Sequence, residues 1–279
     1  MAEVSIEGGA IAYSVEGPRD KPALLLSNAL GTAMPFWNQQ VPAFTRDYRV
    51  IRYDQRGHGQ SGAPAGEYTL AELGKDALAV LDAAGVERTD ICGLSLGGLT
   101  AMWLAVHARH RIGRIAIANT AARIGSIAHW QERIDLINAR GLAPVSEAGP
   151  ERWFTEPYRA AHPDVVRSCQ GMVLDAAPAG YCGCVAAIRD ADLRSIIGQI
   201  AAPTLVIAGR HDPVTTPADA DVVCKAVAGA RYVELAAAHF SNIEQADAFN
   251  RAVLGFLTGS ENPALHPYGG ADLPVRPTS

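Results

Sequence analysis

Ser95 lies between two glycines, Gly93 and Gly97, in the pattern Gly-x-Ser-x-Gly. This pattern is typical of a nucleophile elbow, a sharp turn between a strand and a helix that exposes the serine hydroxyl. The serine of such a turn has a strained backbone, and side chains two positions away would obstruct the passing strand and helix. An apolar run ends at Gly93 and a helical pattern follows Ser95, so the sequence predicts a nucleophilic serine here.

A serine hydroxyl becomes a good nucleophile only when a base takes its proton, and a carboxylate usually orients that base. In elbow enzymes these partners follow the serine in the order Asp or Glu, then His. Asp212 follows the predicted strand 203–208, and His239 follows the predicted strand 231–235. Because the carboxyl ends of parallel strands meet at one edge of a sheet, we predict a catalytic triad of Ser95, Asp212 and His239.

A triad of this kind also needs two N–H donors for the oxyanion that forms during acyl transfer. In an elbow the residue after the nucleophile, Leu96, supplies one of them. The loop after the predicted strand 22–27 should supply the other, and the backbone N–H of Ala29 is the best candidate. His58 lies in a glycine-rich turn, and we expect it to pack near the site in a structural role.

Strand and helix patterns alternate along most of the chain, which indicates that a sheet positions the candidate site residues. Strands are predicted at 4–6, 11–15, 22–27, 48–53, 89–93, 112–118, 203–208 and 231–235. A short helix is predicted over roughly 36–44. Alternation of this kind implies right-handed crossovers and a mostly parallel sheet.

The alternation stops between about 119 and 194, where helical patterns and two tryptophans predict a cap. We therefore predict an α/β fold with a mostly parallel eight-stranded sheet, helices on both faces, and a helical cap inserted after the sixth strand. The core would comprise residues 1–120 and 196–259, and the cap residues 121–195. Residues 260–279 are rich in Pro, Gly and polar side chains, and we expect a tail outside the fold.

Composition narrows the possible functions. A net charge of -5 argues against non-specific nucleic-acid binding, and no apolar run approaches the roughly 20 residues that cross a bilayer. The N-terminus lacks the pattern of a signal peptide. The five cysteines are scattered without zinc-site spacing, so we expect reduced thiols in a cytoplasmic protein.

The chain resembles the α/β-hydrolase superfamily over residues 1 to about 258, and more narrowly the 3-oxoadipate enol-lactonases of bacterial aromatic catabolism. The likeness is carried by four stretches: 26–32, 53–59, 180–194 and 239–245. The triad motifs are typical of the whole superfamily. The cap stretch 180–194, and Ser27-Asn28 where general hydrolases usually carry His-Gly, point to the lactonases.

The resemblance implies an α/β-hydrolase fold and hydrolysis of a five-membered enol-lactone, which bears a carboxymethyl arm, to 3-oxoadipate. Ser95 would attack the lactone carbonyl while His239 takes its proton, and no metal or organic cofactor would be needed. The substrate is a small anion, so an arginine of the cap should bind its carboxylate.

Three cap residues are candidates for contact with this substrate. Arg133 is the first choice, because Trp130 and Ile134 share its helical neighbourhood and indicate an inward-facing side. Arg189, inside the similar cap stretch, is the second, and Trp153 is a candidate wall of the pocket. The ordinary alternative for either arginine is a surface side chain paired with an acidic residue. For Trp153 it is an aromatic side chain buried within the cap.

Two other functions remain open from the sequence. A general carboxylesterase or a cofactor-free perhydrolase would carry the same triad and would not depend on a cap arginine. A non-catalytic ligand receptor derived from a hydrolase would bind without turnover. Dehalogenases and epoxide hydrolases of this fold need an aspartate nucleophile, which Ser95 excludes. The oligomeric state is also open.

Overall fold

A nine-stranded sheet forms the centre of the protein, whose computed structural model describes residues 1–260 and 266–268. The strands are β1 (Ala2–Ile6), β2 (Gly9–Glu16), β3 (Ala23–Ser27), β4 (Arg49–Tyr53), β5 (Thr89–Leu94), β6 (Ile112–Ala118), β7 (Thr204–Gly209), β8 (Arg231–Leu235) and β9 (His266–Pro267). Their order is β1-β2-β4-β3-β5-β6-β7-β8-β9. Neighbours from β4 to β8 pair in parallel, so the carboxyl ends of these strands meet at one edge.

Helices cover both faces of the sheet and form a separate layer above its carboxyl edge. They are α1 (Val41–Phe44), α2 (Leu70–Ala83), α3 (Leu96–His107), α4 (Ile127–Arg140), α5 (Ala143–Ala148), α6 (Pro150–Trp153), α7 (Glu156–Ala161), α8 (Pro163–Leu174), α9 (Pro178–Asp190), α10 (Pro217–Ala226), α11 (Ser241–Glu244) and α12 (Ala246–Thr258). Helices α2, α3 and α10 pack on one face, and α1 and α12 on the other.

The central strands are buried because helices cover both of their faces. Every residue of β3 and of β7 is buried, as are residues 91–94 of β5. These are the continuous apolar runs of the sequence, which is the composition expected of parallel strands covered on two sides. The prediction of a mostly parallel sheet with helices on both faces is confirmed.

Helices α4 to α9 lie between β6 and β7 and form the cap layer. Helix α4 packs along α9, and α5 packs against α8. The start of α9 touches the core, because Gly180 lies directly against the backbone of Gly57 and a Cβ on either residue would overlap the other. The Ala177 N–H also donates to the Gly57 carbonyl at 3.1 Å. The cap is therefore fixed to the turn that follows β4.

Two local predictions were wrong in detail. Residues 36–44 do not form one helix but a 3-10 helix, Met34–Trp37, and the separate helix α1. Each has a proline as its second residue, Pro35 or Pro42, which suits a first helical turn but cannot continue an existing helix.

Part of the predicted tail also belongs to the sheet. Residues 266–267 form β9, which pairs antiparallel with β8, and the Tyr268 N–H donates to the Ala230 carbonyl at 3.1 Å. Strand β8 would otherwise present unpaired backbone groups at the sheet edge, and β9 satisfies some of them. Residues 261–265 and 269–279 of the predicted tail lie outside the described residues.

Within residues 1–260 and 266–268, no single helix is both long and apolar enough to span a membrane, although the bent pair α8 and α9 meets the length and composition criteria together. The same part of the chain contains no group of three or more His, Cys, Asp or Glu side chains that could hold a metal ion.

Candidate active site

Ser95 connects β5 to α3 in a left-handed backbone conformation, with φ 57° and ψ -115°. Only one other non-glycine residue in the described chain, Asn119, has a positive φ. The turn is held on both sides: the Ser95 N–H donates to the Ala118 carbonyl at 3.0 Å, and the Ser95 carbonyl accepts the Thr120 hydroxyl at 2.8 Å. These contacts keep the strained serine in place at the carboxyl edge of the sheet.

The flanking glycines have the role that the motif predicts. A Cβ on Gly93 would overlap the backbone of Gly97, and a Cβ on Gly97 would overlap the carbonyl of Ser27. Strand β3, strand β5 and helix α3 therefore meet at van der Waals contact around the serine. No larger residue fits at either position unless α3 moves away from the strand that it contacts.

Asp212 and His239 are brought together from the ends of β7 and β8. The His239 Nδ1 lies 2.8 Å from Asp212 Oδ2, and both residues are buried. With Nδ1 paired to the carboxylate, Nε2 is the ring nitrogen left to accept a proton.

The Asp212 carboxylate is surrounded by donors. Its Oδ1 accepts the backbone N–H groups of Val214 and Thr215 at 2.7 and 3.0 Å, and its Oδ2 accepts the Thr215 hydroxyl at 2.8 Å and Asn119 Nδ2 at 2.9 Å. Burial alone would raise the pKa of this carboxyl. The charge of His239 and the hydrogen bonds outweigh it and hold the pKa below its ordinary value, so Asp212 stays ionised.

Asn119 is a functional residue that the sequence analysis missed. Its Nδ2 also donates to the Ala238 carbonyl at 3.0 Å, and its Oδ1 accepts the hydroxyl of Ser241. The amide therefore ties Asp212 to the loop that carries the histidine. Its position directly after β6, at the same sheet edge as the triad candidates, was the available signal.

Glu244 fixes the His239 loop to the cap and was also missed. Its Oε2 accepts the Ala238 N–H at 2.8 Å, and its Oε1 accepts the Thr155 hydroxyl and, at 3.2 Å, the Thr155 N–H. Next to this contact the His239 N–H donates to the Arg152 carbonyl at 3.3 Å. The histidine is thus positioned by the cap as well as by the sheet.

Ser95 and His239 open onto a shared cavity of about 300 Å³ between the sheet edge and the cap. A volume of this size suits a small ligand. The lining comprises Ala29, Leu30, Ser95, Ile124, Gly125, His129, Trp130, Arg133, Val145, Arg152, Trp153, Tyr181, Ile188, Pro213, Val214, His239 and Phe240. The cap side is aromatic and cationic, with Trp153 stacked on Phe240 at a centroid distance of 5.1 Å.

The predicted oxyanion donors lie at the ends of β3 and β5. Ala29 lines the cavity, and its carbonyl is turned away to accept both the N–H and the hydroxyl of Thr32, at 3.3 and 2.8 Å. Leu96 is the first residue of α3, so its N–H has no partner within the helix. Asn28 anchors the Ala29 loop by donating to the Tyr53 carbonyl at 2.8 Å.

His58 holds the next part of this loop. Its Nε2 accepts the Gly31 N–H at 2.9 Å, and its Nδ1 lies 3.1 Å from the Arg56 carbonyl. Burial lowers the pKa of His58 to about 4, so the neutral ring accepts at Nε2 and donates at Nδ1. The histidine has the structural role expected for it, as a support for the Ala29 loop.

The lowered pKa of His58 should make the protein less stable in mild acid. Between pH 6.5 and 4 the unfolded chain binds a proton at this histidine that the folded protein excludes, so stability falls as the pH falls. The contribution lost is about 3 kcal/mol. In urea unfolding at pH 7, 5 and 4, His58→Gln should be less stable than the parent at pH 7, and the difference should shrink by about that amount at pH 4. If the free energies of unfolding of parent and variant changed in parallel with pH, His58 would not have this role.

A buried ion pair anchors the same turn to α2. The Arg56 guanidinium donates to Asp76 through Nε and Nη2, at 2.6 and 2.7 Å, and both residues are buried. Asp76→Asn would leave the buried cation with only the exposed Glu72, 3.2 Å from Arg56 Nη1, as an acidic partner, and we expect a loss of about 3 kcal/mol in the free energy of unfolding.

Asp82→Asn is the matched control, because Asp82 pairs with Arg111 while its side chain is 65% exposed. Loss of this surface pair should cost less than about 1 kcal/mol. Equal losses in urea unfolding for the two variants would show that the buried pair does not anchor the turn.

Of the cap residues predicted to touch substrate, the structure brings Arg133 and Trp153 to the cavity and leaves Arg189 outside it. All the N–H groups of Arg189 donate to Glu67, Asp190 and Gln131 at 2.8–2.9 Å. Its prediction as a substrate ligand is therefore corrected. Arg189 is saturated by surface ion pairs and has no donor to offer.

Arg152 lines the cavity beside Arg133 and was not predicted. It directly precedes Trp153, which was singled out, but nothing in the local sequence distinguishes it from the other arginines of the cap. Tyr181, inside the similar cap stretch, also faces the cavity and packs against Gly31 of the Ala29 loop.

Known proteins are similar to this chain in sequence and in fold. The family of the alpha/beta hydrolase fold matches residues 22–246. The 3-oxoadipate enol-lactonases 2 and 1 of Acinetobacter baylyi are 41% and 36% identical, over 88% and 90% of this chain and 91% and 94% of their own lengths.

The crystal structure of the enol-lactonase from Burkholderia xenovorans LB400 superposes with a TM-score of 0.91 at 42% identity, and covers 92% of this chain and 100% of its own. The family match over residues 22–246 includes the cap and every residue that lines the cavity. The chain is a hydrolase that belongs to the α/β-hydrolase superfamily and, within it, to the family of the 3-oxoadipate enol-lactonases.

Proposed function

We propose that this protein opens 3-oxoadipate enol-lactone to 3-oxoadipate, with Ser95 as nucleophile, His239 as general base and Asp212 as the carboxylate that orients it. The observation that carries the proposal is the cavity, in which a serine and a histidine from the core face arginines from the cap. Such a cavity suits an ester or lactone that carries a negative charge. The names of the related enol-lactonases supply the particular substrate.

The first step is attack of the Ser95 hydroxyl on the lactone carbonyl carbon. His239 Nε2 takes the serine proton, while Asp212 holds Nδ1 and stabilises the imidazolium. The amides of Leu96 and Ala29 donate to the oxyanion, each contributing on the order of 3 kcal/mol to transition-state stabilisation.

Collapse of this intermediate breaks the bond between the carbonyl carbon and the ring oxygen. The leaving group is an enolate, which needs less help from an acid than an alkoxide; it takes up the proton that His239 removed from Ser95 and becomes the ketone, which leaves His239 neutral again. Water, deprotonated by His239, then attacks the Ser95 ester, and the imidazolium returns the proton to the Ser95 oxygen as 3-oxoadipate is released. The overall reaction converts a monoanion and water into a dianion and a proton, and none of these steps draws on a metal or organic cofactor.

Arg133 is our candidate for recognising the carboxymethyl arm. Its guanidinium lies 5.8 Å from the ring centroid of Trp130, and both side chains line the cavity. The aromatic ring restricts the arginine to a position from which it can face a bound carboxylate.

The test compares kcat/KM for the enol-lactone with kcat/KM for its neutral methyl ester. The parent should favour the anion, and Arg133→Met should lower the ratio about 10-fold or more, because a charged hydrogen bond contributes ~1.5–3 kcal/mol. Arg189→Met is the matched control and should leave the ratio unchanged. A parent that does not distinguish the two substrates would favour the general carboxylesterase instead.

We also place the reaction in bacterial catabolism of protocatechuate and catechol, and in the cytoplasm. The cellular assignment is supported by five free cysteines, four of which are buried. Such thiols are typical of a reducing compartment. The expected partner is a small anionic lactone, and the net charge of -5 gives no support to nucleic-acid binding.

A further inference from the structure

Two arginines face the cavity without a carboxylate partner. Arg133 and Arg152 both line it, and neither takes part in an ion pair with another described residue. Among the described residues that line the cavity there is no Asp or Glu. Glu151, which precedes Arg152, is exposed to solvent. Glu151 raises the pKa of Arg152, but less than burial and Arg133 lower it, so the positive charge of the cavity is not balanced by a carboxylate that lines it.

The two arginines are close enough to oppose each other. Partial burial and the charge of Arg133 lower the pKa of Arg152. The pKa of His129, at the same cavity, is lowered by burial and by both arginines. Like charges held together in a partly desolvated space are destabilising, and a bound anion relieves the repulsion.

The backbone of Arg152 places it beside the reaction centre. Its carbonyl accepts the His239 N–H at 3.3 Å, and the neighbouring Trp153 carbonyl accepts the Phe240 N–H at 2.9 Å. Glu244 reinforces this contact by binding both Thr155 and Ala238. Arg133, in contrast, lies on α4 against Trp130.

A ligand that neutralises the guanidinium groups of Arg133 and Arg152 carries two negative charges. If the proposed function is right, the lactone brings one negative charge, and hydrolysis creates a second as the ring opens. We propose that Arg133 and Arg152 together form a dicarboxylate site, in which Arg133 binds the carboxylate present in the substrate and Arg152 the negative charge that the reaction creates. The cavity is then complementary to a short dicarboxylate, the chemical class of the product.

The test uses adipate and monomethyl adipate, which are similar in size and differ by one charge, as inhibitors of 4-nitrophenyl acetate hydrolysis. The parent should bind adipate about 10-fold more tightly or better, as measured by the inhibition constants, because the second carboxylate gains a charged hydrogen bond. Arg152→Met should abolish this preference, and Arg152→Lys should restore part of it. Arg189→Met is the matched control and should keep it.

Equal inhibition constants in the parent, or a preference that survives Arg152→Met, would overturn the dicarboxylate site. Because the reporter ester is neutral, this result is separate from lactone turnover. A parent that hydrolyses the enol-lactone but does not prefer adipate refutes only the dicarboxylate site. A parent that prefers adipate but does not hydrolyse the lactone refutes only the proposed substrate, and the dicarboxylate site stands.

Discussion

Ser95→Ala should lower kcat for the enol-lactone by about 10⁴-fold or more, because the acyl-enzyme route is lost with the hydroxyl. The residual rate would come from the oxyanion donors at Ala29 and Leu96 and from substrate binding. The measurement is the loss of the enol-lactone absorbance with the purified variant at concentrations high enough to detect slow turnover.

Ser27→Ala is the matched control for this variant. Ser27 is another buried serine at the same sheet edge, and its hydroxyl lies 2.8 Å from the Tyr53 hydroxyl. Loss of that bond should cost about 1 kcal/mol of stability and change kcat less than about 10-fold. If Ser95→Ala retained a rate similar to that of the control, Ser95 would not be the nucleophile.

Asp212→Asn should lower kcat by about 10⁴-fold while the protein stays folded. The asparagine amide would present N–H groups where His239 Nδ1 now faces a carboxylate. The imidazole would then favour the tautomer with its proton on Nε2, which cannot accept the proton of Ser95. Kinetics together with the ring ¹⁵N chemical shifts of His239 measure both effects.

Thr215→Val is the control for Asp212→Asn. It removes one donor to Asp212, the hydroxyl at 2.8 Å, and leaves the carboxylate in place. We expect a fall in kcat of about 10-fold, since one charged hydrogen bond contributes ~1.5–3 kcal/mol. An Asp212→Asn variant that loses no more activity than Thr215→Val, with an unchanged tautomer, would contradict the orienting role.

The parts of the site that the sequence predicted are those governed by local rules. Ser95 lies in a five-residue motif whose glycines are required by backbone contact. Asp212 follows the fully buried apolar strand β7, and His239 follows β8, in which buried and partly exposed residues alternate. The parallel sheet then brings these three positions to one edge. Their order along the chain and their positions at strand ends were therefore enough to predict all three residues.

The residues that were missed or misassigned depend on contacts between distant segments. Arg189 pairs with Glu67, which is 122 positions away, and no local pattern indicates that pairing. Glu244 joins Thr155 to Ala238 across 89 and 6 positions. Arg152 differs from the other cap arginines only in facing the cavity, and this depends on how the cap packs on the core.

We propose a serine hydrolase that acts on an anionic enol-lactone, and kcat/KM for 3-oxoadipate enol-lactone, measured beside kcat/KM for 4-nitrophenyl acetate, tests this directly. The parent should convert the lactone to 3-oxoadipate and should favour it by about 10-fold or more, since recognition of its carboxylate alone contributes ~1.5–3 kcal/mol. Preference for the neutral ester, or no turnover of the lactone, would contradict it.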